Sequence, residues 1–205
     1  MSLDFATLLD LSKSSLLLSL FAITFNPTAW NIVARNEYRN KTITKLFGGN
    51  TRYGCYFLAV LIFSFGLLRD ALFHNALSEQ PRIALIPYEY ASKIAIVLGG
   101  LGQLFVISST WQLGVTGTFL GDYFGILMDK RVEGFPFNVL NDPMYVGSTL
   151  SFIATSLWLE RPAGLFVSVY VYVVYLIALR FEGPFTTMIY TKRAEQRKKN
   201  AAKST

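Results

Sequence analysis

The chain has little charge, one cysteine and one histidine. Of its 205 residues, 16% are charged and 52% are hydrophobic. A soluble chain carries about 25% charged residues, so this composition argues against a water-soluble domain. The single cysteine, Cys55, excludes an intramolecular disulfide framework and any cysteine-cluster metal site. The single histidine, His74, argues against a histidine-based zinc or iron centre, and no metal is expected. Acidic residues are also scarce, 13 against 19 basic ones, for a net charge of +6. The basic surplus lies at the ends of apolar runs, which fits lipid headgroups better than nucleic acid.

What the chain does have is long apolar runs. A bilayer core of about 30 Å needs roughly 20 helical residues. Three runs meet that need: Ser14 to Ala34, Tyr53 to Leu68 with room to extend to Phe73, and Ile94 to Leu113. Asn26-Pro27 lies inside the first and predicts a kink or a re-entrant shape. That run lacks the basic start and small-residue cleavage site of a signal peptide. A polar-rich segment, Gly114 to Gly147, follows the third run.

The last apolar region, Ser148 to Arg180, is too long for one upright span. Its only internal charges are Glu160 and Arg161, followed at once by Pro162. This reads as a hairpin: a short helix to Leu159, a turn at Glu160-Arg161-Pro162, and a helix from Ala163 to Phe181. The expected fold is an all-α integral membrane bundle of four to five transmembrane helices. No repeat or long linker divides the chain, so residues 1–205 read as one domain with a frayed basic tail from Thr191.

Basic residues set orientation. With the hairpin, the Arg35–Arg52 loop, the polar segment and the tail share one face carrying 14 basic residues, against 5 on the other. One long span instead gives 11 against 7. The hairpin is the more asymmetric arrangement, and both place the tail in the cytosol. In the hairpin the polar segment meets Arg180-Phe181-Glu182 at one face.

Taken singly, the motifs favour structural readings. Gly99-Gly100-Leu101-Gly102 in a span favours helix packing over ligand approach by about two to one. Gly117, Gly121 and Gly125 would form a smooth stripe on a helix. Asp122-Tyr123 interrupt that stripe, and a carboxylate near the membrane is a functional candidate by default. Asn141-Asp142-Pro143 reads as a turn and helix cap. Glu182 closes the last helix, where an acid opposes the helix dipole; it either pairs with a base or binds a cation. His74 reads as an ordinary interfacial residue. These features leave three functions open: a membrane enzyme, a small transporter, or a membrane adaptor using its basic tail.

Six motifs in order narrow the choice. They are FNPTAWNIVARNEY (Phe25–Tyr38), GGLGQ (Gly99–Gln103), GTFLGDYFGILMD (Gly117–Asp129), FPFN (Phe135–Asn138), NDPMYVGSTL (Asn141–Leu150) and GPFTTMIY (Gly183–Tyr190). With them the chain resembles the small phospholipid N-methyltransferases, most of all the fungal members that methylate phosphatidyl-N-methylethanolamine. The resemblance covers Phe25 to Tyr190. It implies methyl transfer from S-adenosylmethionine to a phospholipid amine, giving phosphatidylcholine, in the endoplasmic reticulum or a mitochondrial membrane. The implied partners are bilayer phospholipids, with no nucleic acid.

The family's Gly-x-Gly donor motif falls on Gly100, Leu101 and Gly102. Its Glu-Glu pair falls on Glu182 and Gly183, where the second acid is glycine, so one carboxylate is absent. In the implied reaction a neutral amine attacks a sulfonium methyl. A free alkylamine has a pKa near 10, so a dry site and a carboxylate base would both help. Asp122 is the candidate base, and Tyr145 is the other catalytic candidate. Tyr123, Tyr145 and Phe119 are placed to hold a methylated ammonium by cation–π contact. Lys130 and Arg131 would attract the lipid phosphate, and Asn138 and Asn141 are further substrate-binding candidates.

Overall fold

A computed structural model describes residues 5–130 and 132–203. Arg131 therefore lies outside the described residues. Every regular element among them is helical. A short α1 (Phe5–Leu8) precedes α2 (Ser14–Asn40), α3 (Thr42–Leu46), α4 (Thr51–Glu79), α5 (Tyr88–Thr118), a 3-10 turn (Gly121–Phe124), α6 (Pro143–Trp158) and α7 (Pro162–Lys203). Four helices are long and apolar enough to cross a membrane: α2, α4, α5 and α7.

Local chemistry sets the corners. Helix α2 passes through Pro27 without a break and ends where Lys41 turns left-handed, with φ of 55°. The expected re-entrant shape is not formed. Asn26 donates to the Phe65 carbonyl of α4 at 3.2 Å, tying the proline turn to its neighbour. The fully buried Glu37 then accepts from the Ile43 amide at 2.6 Å and from the Thr44 hydroxyl. Its carboxylate caps the exposed amides that open α3. Asn50 opens α4 in the same way, accepting from the amides of Arg52 and Tyr53.

The hairpin forms as expected. Leu159 ends α6, Glu160 takes a positive φ of 53°, and Pro162 opens α7. Helix α6 starts at Pro143, directly after the Asn141-Asp142 turn, and α7 runs past the expected end at Phe181 through Pro184 and the basic tail to Lys203. Half of the most apolar stretch of α7 is buried, against 17–22% for the other three spans. Helix α7 is thus the central helix, and lipid covers the other spans. Its Val167, Val171 and Tyr175 join Leu16, Ile23, Phe73, Leu77 and Phe152 in the core.

Contacts at the helix ends settle the threading. At one face Ser15 donates to Glu79 at 2.9 Å, the Ile83 amide donates to the Glu160 carbonyl at 3.0 Å, and Arg82 pairs with Glu160 at 2.6 Å. At the other face Arg193 pairs with Asp129 at 3.2 Å, and the Met128 amide donates to the Tyr190 hydroxyl. The polar segment and the end of α7 therefore meet. Arg69, just past the core of the second apolar run, lies inside α4. There it donates to the Tyr175 hydroxyl at 2.5 Å and pairs with Asp70 at 2.7 Å.

The glycine stripe does not form. Gly114 breaks α5 with φ of 64°, Leu120 is left-handed, and Gly125 turns left-handed at φ of 83°. These positive values end regular helix, so Gly117, Gly121 and Gly125 lie on three different pieces of backbone. Gly121 itself is forced: a Cβ there would sit 2.5 Å from the Thr116 carbonyl oxygen.

Candidate active site

The break after α5 drops the 3-10 turn into the bundle. Tyr123 and Phe124 become fully buried, and Asp122 faces α7. Thr186 of α7 donates to the Asp122 carboxylate at 3.1 Å. Tyr123 stacks flat on Phe185, with centroids 5.2 Å apart and planes 4° apart. One turn earlier on α7, Glu182 accepts from the Tyr145 hydroxyl at 2.7 Å. Glu182, Phe185, Thr186 and Ile189 follow the i, i+3, i+4, i+7 pattern of one helix face, and that face carries the site. Asp122 and Asp142 both act electrostatically on the Glu182 carboxylate.

Tyr145 is held from behind. Its ring packs edge-on against Tyr175, at 4.9 Å, whose hydroxyl is shared with Ser148 and Arg69. Arg35 of α2 lies over the Phe185 ring at 4.8 Å and donates to the Phe181 carbonyl at 2.6 Å. The buried Arg35 Nε has no hydrogen-bond partner among the described residues, whereas the Tyr123 hydroxyl has Thr186 beside it. An unmet buried polar atom costs about 1–3 kcal/mol, so Arg35 Nε marks a place where a ligand's polar atom fits.

The two glycines of the Gly-Leu-Gly motif face different surroundings. A Cβ on Gly102 would lie 2.6 Å from the Gly147 carbonyl oxygen, so Gly102 is the close contact between α5 and α6. A Cβ on Gly100 would meet nothing within 4 Å, and Gly183 is equally open. Leu101 is exposed. The open side of Gly100 leaves room for a donor molecule, and the acids at Glu182 and Asp122 suit a sulfonium cation. The residues present fit S-adenosylmethionine in that sense.

Asp122, Tyr123, Tyr145 and Glu182 are thus brought together. Lys130, Asn138 and Asn141 are exposed on the connecting segment and make none of these contacts. Partial burial raises the Asp142 carboxyl above the usual carboxylate range. Sequence reasoning missed Arg35, Phe185, Thr186 and Tyr175. Spacing from Glu182 along α7 was signal enough for Phe185 and Thr186; Arg35 and Tyr175 carried none. A cavity of about 230 Å³ on the opposite face, lined in part by His74, Arg82 and Trp158, shares no residue with this site. Among the described residues no three His, Cys, Asp or Glu side chains cluster to hold a metal ion.

The sequence matches known proteins. A model of the phospholipid methyltransferase family matches residues 91–193, from α5 into the end of α7. The chain is 55% identical over 201 residues to the phosphatidyl-N-methylethanolamine N-methyltransferase of Neurospora crassa, covering 98% of this chain and 94% of the relative. It is 55% identical over 189 residues to the enzyme of that name from Saccharomyces cerevisiae, covering 92% and 91%. To the human phosphatidylethanolamine N-methyltransferase it is 42% identical over 180 residues, covering 88% and 90%. No solved structure matches. The chain belongs to the phospholipid methyltransferase family of membrane enzymes.

Proposed function

We propose that this enzyme methylates phosphatidyl-N-methylethanolamine and its dimethyl product to phosphatidylcholine, with S-adenosylmethionine as methyl donor. The observation that carries the proposal is that one face of α7 holds Glu182, bonded to Tyr145, one turn from Thr186, bonded to Asp122, with the Tyr123 ring stacked on Phe185 between them in sequence. It brings two carboxylates and two aromatic rings together for a reaction in which positive charge moves from sulfur to nitrogen. The names of the relatives supply the lipid.

When bound, S-adenosylmethionine supplies a methyl on a sulfonium and takes back the electron pair of the broken carbon–sulfur bond. Glu182 would hold the sulfonium side, oriented by the Tyr145 hydroxyl; Gly100, Leu101 and Gly183 would leave space for the rest. Asp122 would take the proton that the amine must lose. Thr186 and the adjoining backbone amides hold that carboxylate in place. The low-dielectric surroundings favour a neutral amine nucleophile. Tyr145 would stabilise the ammonium product through its ring, at about 0.5–2 kcal/mol. The basic excess on the site's face supports a cytosolic site and tail, as expected of an enzyme of the endoplasmic reticulum or a mitochondrial membrane.

The test is to incubate membranes containing the purified enzyme with methyl-labelled S-adenosylmethionine and each ethanolamine lipid in turn. Label is expected with the monomethyl and dimethyl lipids as acceptors, appearing in the dimethyl lipid and in phosphatidylcholine. An Asp122→Asn variant should bind donor yet lose at least about 100-fold in turnover, the usual scale of a general base. Full turnover in that variant removes Asp122 from the role, and no label in any lipid overturns the proposal.

A further inference from the structure

We infer that Arg35 is the seat for the phosphate of the lipid substrate, so that the site reads the headgroup as a zwitterion. The inference rests on the function proposed above. Arg35 offers five N–H donors in a planar fork. One terminal nitrogen donates to the Phe181 carbonyl, and Nε is buried with no acceptor. Among the described residues no carboxylate comes within ion-pair distance of it. An arginine partly sunk in a membrane bundle without an anion is expensive. The arrangement makes sense if the anion arrives with the substrate.

Its position favours the lipid as the source. Arg35 lies one turn below Ile32 on α2, and Ile32 and Phe181 are both exposed toward lipid, at 64% and 57%. A headgroup sliding in between α2 and α7 meets the guanidinium before it meets the acids. Beyond Arg35 lies the Phe185 ring, with Tyr123 stacked on it and Asp122 next in the chain. Arg35, Asp122 and Glu182 all act electrostatically on the Tyr123 hydroxyl. A phosphate and an amine two carbons apart present the same order: anion outermost, cation within. Lys130 is exposed on the connecting segment and contacts none of these groups. A guanidinium also matches two phosphate oxygens at once, which a lysine does not.

The other anion available to Arg35 is the carboxylate of the donor's methionine moiety, and the experiment separates the two. Wild type, Arg35→Gln and Arg35→Lys are compared in detergent micelles with two methyl acceptors: a short-chain phosphatidyl-N-methylethanolamine and N-methyldodecylamine, which has the amine without the phosphate. Donor binding is measured separately by equilibrium dialysis. The expected result for Arg35→Gln is a KM for the phospholipid about 10- to 100-fold higher, the scale of a lost charge-assisted hydrogen bond. The KM for the plain amine and the donor affinity should stay near wild type, and Arg35→Lys should fall between. If Arg35→Gln does not fold, the same comparison with Arg35→Lys carries the test. Loss of donor affinity with the phospholipid KM unchanged assigns Arg35 to the donor and overturns the inference. Equal loss on both acceptors also overturns it, because the phosphate would then not be what Arg35 reads. A wild-type protein that labels neither acceptor fails the proposed function instead.

Discussion

The Gly-Leu-Gly motif makes a prediction that separates two readings of one short sequence. Gly100 and Gly102 are both internal to α5, so replacing either by alanine brings the same gain in helix propensity, about 0.8–1.0 kcal/mol. That gain cancels when the two variants are compared. The added methyl at Gly102 would lie 2.6 Å from the Gly147 carbonyl oxygen and 2.8 Å from Ser151 Oγ. The serine can rotate away; the carbonyl is fixed in α6. Forcing extra volume into such a contact costs about 1–3 kcal/mol. At Gly100 the methyl meets nothing within 4 Å. A chain of this size shifts its melting point by roughly 2–4 °C per kcal/mol. Gly102→Ala should therefore melt about 2–12 °C below Gly100→Ala in tryptophan-fluorescence melts in micelles. Donor binding should reverse the order of harm among folded proteins. Gly100→Ala should lose affinity for labelled S-adenosylmethionine, because the methyl enters the space left for the donor. Equal melting points, or unchanged donor affinity in Gly100→Ala, would refute the division of labour between the two glycines.

Other perturbations test the site and its frame. Tyr145→Phe keeps the ring contact with Tyr175 but removes the 2.7 Å bond to Glu182; donor affinity should drop about 10- to 100-fold, on the scale of a hydrogen bond to a charged group, as read by dialysis. Gly183→Glu enters open space, so the variant should fold normally and bind donor more tightly by about 0.2–1 kcal/mol, the worth of an exposed charge pair. Glu37→Ala strips the cap from α3 and leaves the Ile43 and Thr44 amides unmet, so the melting point should fall by the equivalent of about 1–3 kcal/mol with donor affinity retained. For topology, cysteines placed at Ser78 and Asp129 should react with an impermeant thiol reagent from opposite sides of sealed vesicles; Cys55 is fully buried and leaves a silent background. Reaction of both from one side would contradict the threading.

The hairpin was legible in sequence because its signal is local. Glu160-Arg161-Pro162 puts two charges and a helix-starting residue together in an apolar region, and no spanning helix tolerates that combination cheaply. The meeting of the polar segment with Glu182 then followed from threading and charge asymmetry alone. What stayed hidden depends on direction in space. Spacing shows that Gly100 and Gly102 share a helix, but not that one faces α6 and the other faces open space. The glycine stripe failed because evenly spaced glycines describe a helix surface only while the backbone stays helical, and Gly114, Leu120 and Gly125 take positive φ. Arg35 was counted as a loop charge that orients the protein. Its place beside Phe185 depends on a contact between the first and last spans, which no local pattern encodes.

The depth of the site follows from helix length. At 1.5 Å per residue, Glu182 lies about 30 Å along α7 from Pro162, and Arg35 about 31 Å along α2 from Ser14. Both distances match the hydrocarbon thickness of a bilayer, so the two residues sit at the far headgroup level. Helix α6 is shorter, and Tyr145 lies only about 20 Å from Trp158. Side chains lean toward the N-terminus of their helix. On α6 that lean carries the Tyr145 hydroxyl outward, and on the antiparallel α7 it carries Glu182 inward, which is how the two meet. Gly102 lies about 21 Å along α5 from Tyr88, a turn or two deeper in the membrane than Glu182. An elongated donor reaching from the open side of Gly100 to Glu182 would have its reactive end at headgroup depth. The phospholipid amine already resides at that depth. Methyl transfer there requires the lipid to move sideways between helices but not to leave the bilayer. That geometry explains why Glu182 sits about 30 Å along α7, where the helix reaches the headgroups, and not within the hydrocarbon core.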